Sequence, residues 1–391
     1  MEHVEILSQM LEPLAAWYFG HARALPWRED PAPYRVWLSE IMLQQTRVAA
    51  VMPYFHRFLQ ALPTVEALAN AGEEELMKLW QGLGYYSRAR NLQRAARIIM
   101  EEHGGRIPEG FEELLSLPGI GRYTAAAISS IAYGHSHPAV DGNVLRVVAR
   151  LALYGEDIRK ESAKREVEAA LRCVYPSEGA PGRAGAGILN QALMELGATV
   201  CLPNGAPLCG GCPLSGLCLA RQAGRIEEYP QKSKAKPRRV EQMTVLRMEQ
   251  NGAVALDKRG PKGLLAGLWE LPHLEGHLSR KALLSFLEDQ GIRPQKAERM
   301  ADAVHVFSHV EWHMQAWLIL LSERWMVAEE RCFQDAFPGI VWAMPEEIDR
   351  NYSIPAAFRY FLGDLGRRMP EKMDYCTVRS GSCIAKQTVG T

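Results

Sequence analysis

Through residue 228, apolar side chains recur at steps of three and four, the period of helices with one buried face. Leu7, Met10, Leu11, Leu14 and Tyr18 line one face of a helix expected over 5–22. The next expected helix, 34–51, places Glu40 among Val36, Trp37, Ile41 and Leu43, with Arg47 near the same line. Further on, a helical stretch to residue 99 is ended by His103-Gly104-Gly105. Leu117-Pro118-Gly119-Ile120-Gly121 reads as a tight hairpin, because Pro118 fixes φ and Gly119 and Gly121 admit φ > 0. The helix after it carries Ala125, Ala126, Ile128 and Ile131 as its apolar stripe. Its amino terminus and the hairpin N–H groups together suit a phosphate. Val140-Asp141-Gly142-Asn143 then opens a helix over 144–153, for which Asp141 and Asn143 are both good caps. Helices over 161–174 and 188–200 complete the series, the second carrying Asn190, Gln191 and Glu195.

From Glu241 the period changes to two. TVLRM and GAVALD flank Asn251-Gly252, a hairpin signal. Residues 303–310 and 312–321 alternate as strands, with helices expected over 279–290 and 355–365. The two patterns imply an all-α domain over 1–228 and an α+β domain over 241–366. Between them, 229–240 is a linker holding Lys232, Lys234, Lys236, Arg238 and Arg239, charges that suit DNA phosphates or simple solvation. Residues 367–391 are polar and read as a flexible tail.

A chain of 391 residues fits this two-domain division. Its 47% hydrophobic and 23% charged content excludes a largely disordered protein. Net charge is zero, so any nucleic-acid binding must come from local patches. No apolar run approaches 18 residues, and the amino end is amphipathic and acidic; a cytoplasmic protein without a membrane span is expected. Of the eight cysteines, Cys201, Cys209, Cys212 and Cys218 crowd together. In a reducing compartment that spacing reads as a metal site, and four thiolates hold either Zn²⁺ or [4Fe–4S].

Glu40, in its apolar setting, is a candidate general acid, since desolvation keeps a carboxyl protonated. An ion pair with Arg47 or another arginine is the ordinary alternative. Leu25-Pro26-Trp27-Arg28, read as a loop, joins an aromatic plane to a planar guanidinium, suited to stacking and to a base edge. Gln44, Gln45 and Thr46 offer polar side chains to a base stack. Between Trp80 and Arg90, Tyr85 and Tyr86 interleave with glycines and arginines, as single-strand contacts do. Taken singly, each of these also reads as packing or capping.

Together the segments LPWR (25–28), SEIMLQQT (39–46), QGLGYYSRARNL (81–92), LPGIGRYTA (117–125) and VDGNV (140–144), with the cysteine loop, carry a joint resemblance. The chain resembles the helix-hairpin-helix DNA glycosylase superfamily and, within it, the MutY family of adenine DNA glycosylases. That resemblance implies a monofunctional enzyme, monomeric and associated with the nucleoid. Its partner would be double-stranded DNA in which adenine is mispaired with 8-oxoguanine or guanine. Glu40 would protonate the adenine ring and Asp141 would stabilise the sugar cation, with Tyr123 and Asn143 in support. Arg28 and Gln191 would contact the extruded base, with Leu25 and Trp27 lining its pocket. Gln44, Gln45 and Tyr85 would lie at the vacated stack, Thr46 and Tyr86 beside them, and Gly119 and Gly121 at the DNA backbone. The four cysteines would hold a [4Fe–4S] cluster, although the first gap, Leu202 to Leu208, is one residue longer than the family's usual six.

Leu268-Trp269-Glu270-Leu271-Pro272 resembles a stretch of Nudix hydrolases, but the carboxylate-rich helix that binds their Mg²⁺ is replaced by HLEGHLSRKALLSFLEDQG. A Nudix-like domain that reads the opposite base, through Phe307, Ser308 and His309, is the implied outcome. Two competing readings are an endonuclease III-like glycosylase/lyase for oxidised pyrimidines and a non-catalytic DNA-binding scaffold. The first needs a lysine after the hairpin; Tyr123 stands there, and no lysine lies between Lys78 and Lys160. The second leaves the presence of both Glu40 and Asp141 without a reason.

Overall fold

The computed structural model describes residues 4–234, 237–322, 337, 339–363 and 376–377. The chain forms two compact units, one of residues 1–71 and 87–235, the other of residues 72–86 and 236–391. The expected tail, 367–391, lies outside the described residues except for 376–377.

The first unit is helical. The helix expected over 5–22 is two helices, α1 Glu5–Gln9 and α2 Leu11–His21. LPWR, read above as a loop, folds as one helical turn, α3 Pro26–Glu29, with Pro26 at the position where its missing N–H costs nothing. The helix expected over 34–51 is likewise divided, into α4 Pro33–Leu43 and α5 Val48–Ala61. Between them Gln45 takes φ +57°, which no helix accommodates. α6 Val65–Asn70 is capped by the Thr64 hydroxyl, which accepts from the Ala67 N–H at 3.0 Å. α7 Glu73–Trp80 belongs to the second unit. Ser87–Glu102 (α8), Phe111–Ser116 (α9), Arg122–Ala132 (α10), Gly142–Leu151 (α11), Glu161–Val174 (α12), Ala186–Thr199 (α13) and Leu219–Gln222 (α14) complete the first unit.

Two packing groups meet at α10. α4 packs on α5, α8 and α10 through residues such as Val36, Trp37, Ile41 and Met42. α13 packs on α2, α10 and α11 around Leu7, Leu14, Val144, Val148, Leu189, Leu193 and Leu196. α10 touches both groups, so Ala126 and Ala127, small and buried, allow the close approach.

In the second unit β1 Arg239–Gln250 and β2 Ala253–Lys258 form the expected hairpin across Asn251-Gly252, pairing Gln250 with Ala253. β3 is Trp269–Glu270, β4 His273–Glu275, β5 Lys296–Arg299, β6 Ala303–Val306, β7 Val310–Leu320 and β8 Val341–Ala343. β1 runs parallel to β7, from Arg239 opposite Val310 to Glu249 opposite Leu320. Alternation along β7 separates two cores. Val310, Trp312, Met314 and Ala316 join one with α16 Pro345–Asn351 and α17 Ala356–Leu362, through Ile348, Phe358 and Phe361. Trp317 and Ile319 join the other with Leu283 and Leu287 of α15 Arg280–Asp289. The strand expected over 303–310 ends at Val306, because residues 307–309 form the turn between β6 and β7.

Candidate active site

Glu40 sits two-thirds along α4, buried, and its carboxyl faces α10 rather than an arginine partner. Tyr123, in the first turn of α10, donates its hydroxyl to Glu40 Oε2 at 2.6 Å, while Met194 Sδ lies 3.6 Å from the same oxygen of Tyr123. Burial pushes the Glu40 carboxyl up to about 7; the Tyr123 hydrogen bond and the Arg28 charge oppose this, and the Asp141 charge adds to it. The ordinary alternative, an ion pair with Arg47, is not formed: Arg47 lies past the end of α4. Tyr123 is held well above the usual phenol range, mainly by burial, and therefore stays a donor.

Asp141 is the N-cap of α11. Its Oδ1 accepts from the N–H groups of Asn143 at 2.9 Å and Val144 at 2.8 Å, and its Oδ2 from Asn143 Nδ2 at 2.7 Å. Burial raises this carboxyl, and those three donors with the Arg146 charge oppose the rise. Asn143 Oδ1 in turn accepts from Arg146 Nη2 at 2.8 Å. Arg146 also donates to the backbone oxygens of Gly197 and Cys201, each at 2.7 Å. Arg146 and Arg150, both buried on the apolar face of α11, were not singled out from the sequence. Two arginines four residues apart inside VLRVVARL were the available signal.

Around the expected base contacts, Leu25 and Trp27 are buried, Trp27 packing edge-on against Phe55 with centroids 5.0 Å apart. Gln191 Oε1 accepts from Tyr18 Oη at 3.1 Å. The Arg28 guanidinium lies over the Tyr18 ring, 5.5 Å from its centroid. Its Nη2 donates to Glu195 at 2.8 Å.

Gln44, Gln45 and Thr46 form the turn after α4, not part of a helix as expected. Buried Arg88 ties that turn down, donating through Nη1 to the carbonyls of Ile41 at 2.7 Å, Met42 at 3.0 Å and Gln44 at 2.7 Å. Gln45 is exposed at φ +57°. Tyr85, in the second unit, is exposed at φ +48°, while Tyr86 is buried. A left-handed conformation at two non-glycine residues stores strain of about 1–3 kcal/mol each. In the hairpin only Gly119 uses its freedom, at φ +80°, and a Cβ there would meet Asn91 Cβ at 2.8 Å. Gly121, expected to need φ > 0, is extended at φ −94° and caps α10.

The four cysteines of the loop form no disulfide. Cys201, Cys212 and Cys218 pack against the core shared by α11 and α13. Burial pushes the Cys212 thiol up to about 11, and the charges of Cys201, Cys218 and Cys209 push the same way. Cys212 therefore becomes a thiolate only with a compensating positive charge, which fits a metal-bound group. Part of that charge is already present: Arg150 Nη1 lies 3.2 Å from Cys201 Sγ. Among the described residues no group of three or more His, Cys, Asp or Glu side chains is arranged to hold a single ion.

The sequence matches the model of the HhH-GPD superfamily of base excision DNA repair proteins over residues 38–173 and that of a NUDIX domain over residues 243–363. It is 36% identical over 405 residues to an adenine DNA glycosylase of Rattus norvegicus, spanning 88% of this chain and 76% of the relative. A human adenine DNA glycosylase is 38% identical over 414 residues, spanning 90% and 73%. The chain belongs to the adenine DNA glycosylase family. It is thus a hydrolase of N-glycosyl bonds that removes adenine from DNA in base excision repair, on a helical glycosylase fold followed by a Nudix-like one.

In this glycosylase the expected opposite-base residues lie in the second unit. Phe307 is half-buried against His305 and Trp312, with centroids 4.6 and 4.7 Å away. Ser308 and His309 are exposed at the tip of the β6–β7 turn, which is closed by the Phe307 N–H donating to the Val310 carbonyl at 2.8 Å. Of the linker charges, Arg238 pairs with Glu311 at 3.3 Å and Arg239 with Glu241. No described helix is long and apolar enough to cross a membrane.

Proposed function

We propose that the enzyme acts as a monomer on duplex DNA in which adenine faces 8-oxoguanine or guanine, with Glu40 as general acid and Asp141 as stabiliser of the sugar cation. The observation that carries this reading is the Tyr123–Glu40 pair beside a capped Asp141. Breaking an N-glycosidic bond leaves negative charge on the base and positive charge on the sugar. One carboxyl must deliver a proton and another must stay ionised. Burial raises both carboxyls, Glu40 to about 7, but Glu40 has one donor opposing the rise, whereas Asp141 has three donors and the Arg146 charge, which favour its charged form. The adenine must leave the stack to reach them. Gln44, Gln45, Thr46, Tyr85 and Tyr86 would contact the opened duplex, with Gly119 and Gly121 at its backbone. Arg28, Gln191, Leu25 and Trp27 would receive the base. Tyr123, in place of a lysine, leaves no Schiff-base nucleophile, so the strand is not cut by β-lyase chemistry.

Cys201, Cys209, Cys212 and Cys218 would hold a [4Fe–4S] cluster, which when bound supplies the loop with a structural crosslink. Opposite-base choice would rest on Ser308, whose hydroxyl accepts a hydrogen bond from N7–H of 8-oxoguanine but not from guanine N7, itself an acceptor.

The test is adenine release under single-turnover conditions from A:8-oxoguanine, A:G and A:T duplexes and from one containing thymine glycol, each with and without alkali. Cleavage confined to the first two and dependent on alkali is expected. Release from thymine glycol, or strand cutting without alkali, overturns the reading. Asp141→Asn should bind the A:8-oxoguanine duplex yet release adenine at least about 10²–10³-fold more slowly.

A further inference from the structure

Glu195 is an acidic residue in the apolar run LNQALMELGAT, and its carboxylate is fully buried. Oε1 accepts from the Arg23 backbone N–H at 3.2 Å and from Arg23 Nε at 2.6 Å. Oε2 accepts from Arg23 Nη2 and from Arg28 Nη2, each at 2.8 Å. Arg28 Nη1 donates to the Arg23 carbonyl at 3.2 Å. Burial alone would push the Glu195 carboxyl up, and the two guanidiniums outweigh it and hold it below the usual carboxylate range.

The position of Glu195 decides what this buys. Gln191 precedes it by one turn on the same face of α13, and Gln191 is tied to Tyr18, over whose ring Arg28 stands. Tyr18, Arg28 and Gln191 are thus one polar assembly with Glu195 as its floor. Holding α13 to the segment before α3 needs no charge, because apolar side chains of similar volume hold buried contacts at least as well. Aiming a guanidinium does need one. A free arginine side chain has many rotamers, and a planar fork pinned by a carboxylate has lost that freedom before any ligand arrives. Two of the Arg28 donors are used by Glu195 and the Arg23 carbonyl, which sets the direction of the rest.

We propose that Glu195 is a positioning residue for base recognition, fixing the Arg28 guanidinium beside Tyr18 and Gln191 so that its remaining donors meet the extruded adenine. This rests on the reading of Arg28 as a base contact. Arg23 has the complementary job: its bidentate pairing anchors the chain to Glu195.

The test is a double-variant cycle, with adenine release from an A:8-oxoguanine duplex measured at saturating enzyme and thermal unfolding measured alongside. Glu195→Gln is expected to slow release about 10- to 100-fold, the scale of a misaimed contact. In an Arg28→Met background the same change should cost less than about 3-fold, because its effect is routed through Arg28. Arg23→Met, which keeps the backbone carbonyl that Arg28 uses, should lower the melting temperature and slow release less than Glu195→Gln does. Equal slowing in both backgrounds, or none in either, overturns the proposal. Wild-type release by the single Arg28→Met variant identifies the base-contact reading as the part that failed and takes the proposal with it. If Glu195→Gln does not fold, Glu195→Asp, one methylene shorter with its charge kept, enters the same cycle with the same expectations.

Discussion

Tyr123→Phe is expected to move the alkaline limb of the pH–rate profile upward. In the proposed role Glu40 donates only when protonated, and burial places its pKa at about 7. Adenine release should therefore be level below neutrality and fall about tenfold per pH unit above it. At pH 9 roughly one molecule in a hundred keeps the proton. Tyr123 opposes the burial effect, because its 2.6 Å hydrogen bond favours the carboxylate form. A hydrogen bond to a charged group contributes about 1.5–3 kcal/mol, and a pKa unit corresponds to about 1.4 kcal/mol. Removing the hydroxyl while keeping the ring should raise the Glu40 pKa by about one to two units. The assay is single-turnover release from an A:8-oxoguanine duplex between pH 5.5 and 9.5 (about the range in which Glu40 changes charge). The variant should retain a much larger share of its own plateau rate at pH 9 than the parent does. A limb that stays in place, or moves to lower pH, refutes the assignment of that limb to Glu40 and of Tyr123 as its donor.

Gly197→Ala would place a Cβ 2.6 Å from Asn143 Cβ and 3.1 Å from its Cα, pushing the capped start of α11. Excision should fall at least about tenfold while duplex binding changes little, with a stability loss of about 1–3 kcal/mol by urea unfolding. Equal rates in the two proteins would show that the Asp141–Asn143 geometry tolerates displacement. Purified protein should be yellow-brown and contain iron and sulfide; a colourless protein with one zinc per chain would rule out the cluster. Replacing Ser308 by alanine together with Phe307 should weaken the preference for A:8-oxoguanine over A:G by about 1–3 kcal/mol. An unchanged ratio would remove the β6–β7 turn from opposite-base readout.

What the sequence made legible was local. Asp141 reads as a cap because it stands two and three residues from the N–H groups it accepts. Gly119 reads as a turn residue, and the two periods separate a helical from a strand-rich region. Long-range partners were not legible. Glu40 faces Tyr123 across 83 positions and Glu195 faces Arg28 across 167, and no pattern along the chain encodes such meetings. The end of α4 was missed for a related reason. Its apolar spacing continues past Leu43, and the turn that stops the helix is held by a tertiary contact, Arg88 on the carbonyls of Ile41, Met42 and Gln44. Assignment of residues 72–86 to the second unit was equally hidden. It depends on contacts such as Lys78 Nζ with the Tyr352 carbonyl at 3.2 Å and Gln81 Nε2 with that of Ile354 at 2.9 Å.

The Arg88 clasp sets limits on how this enzyme can diversify. One guanidinium holds both the helix that presents Glu40 and the turn that presents Gln44 and Gln45. Amino-acid replacements that move this turn pull on the same fastener as Glu40, one helical turn away. Glu40 and the Gln44–Thr46 turn therefore cannot drift separately through sequence space. Variants with a reshaped turn are accessible only in steps that leave those three carbonyls where a single side chain reaches them.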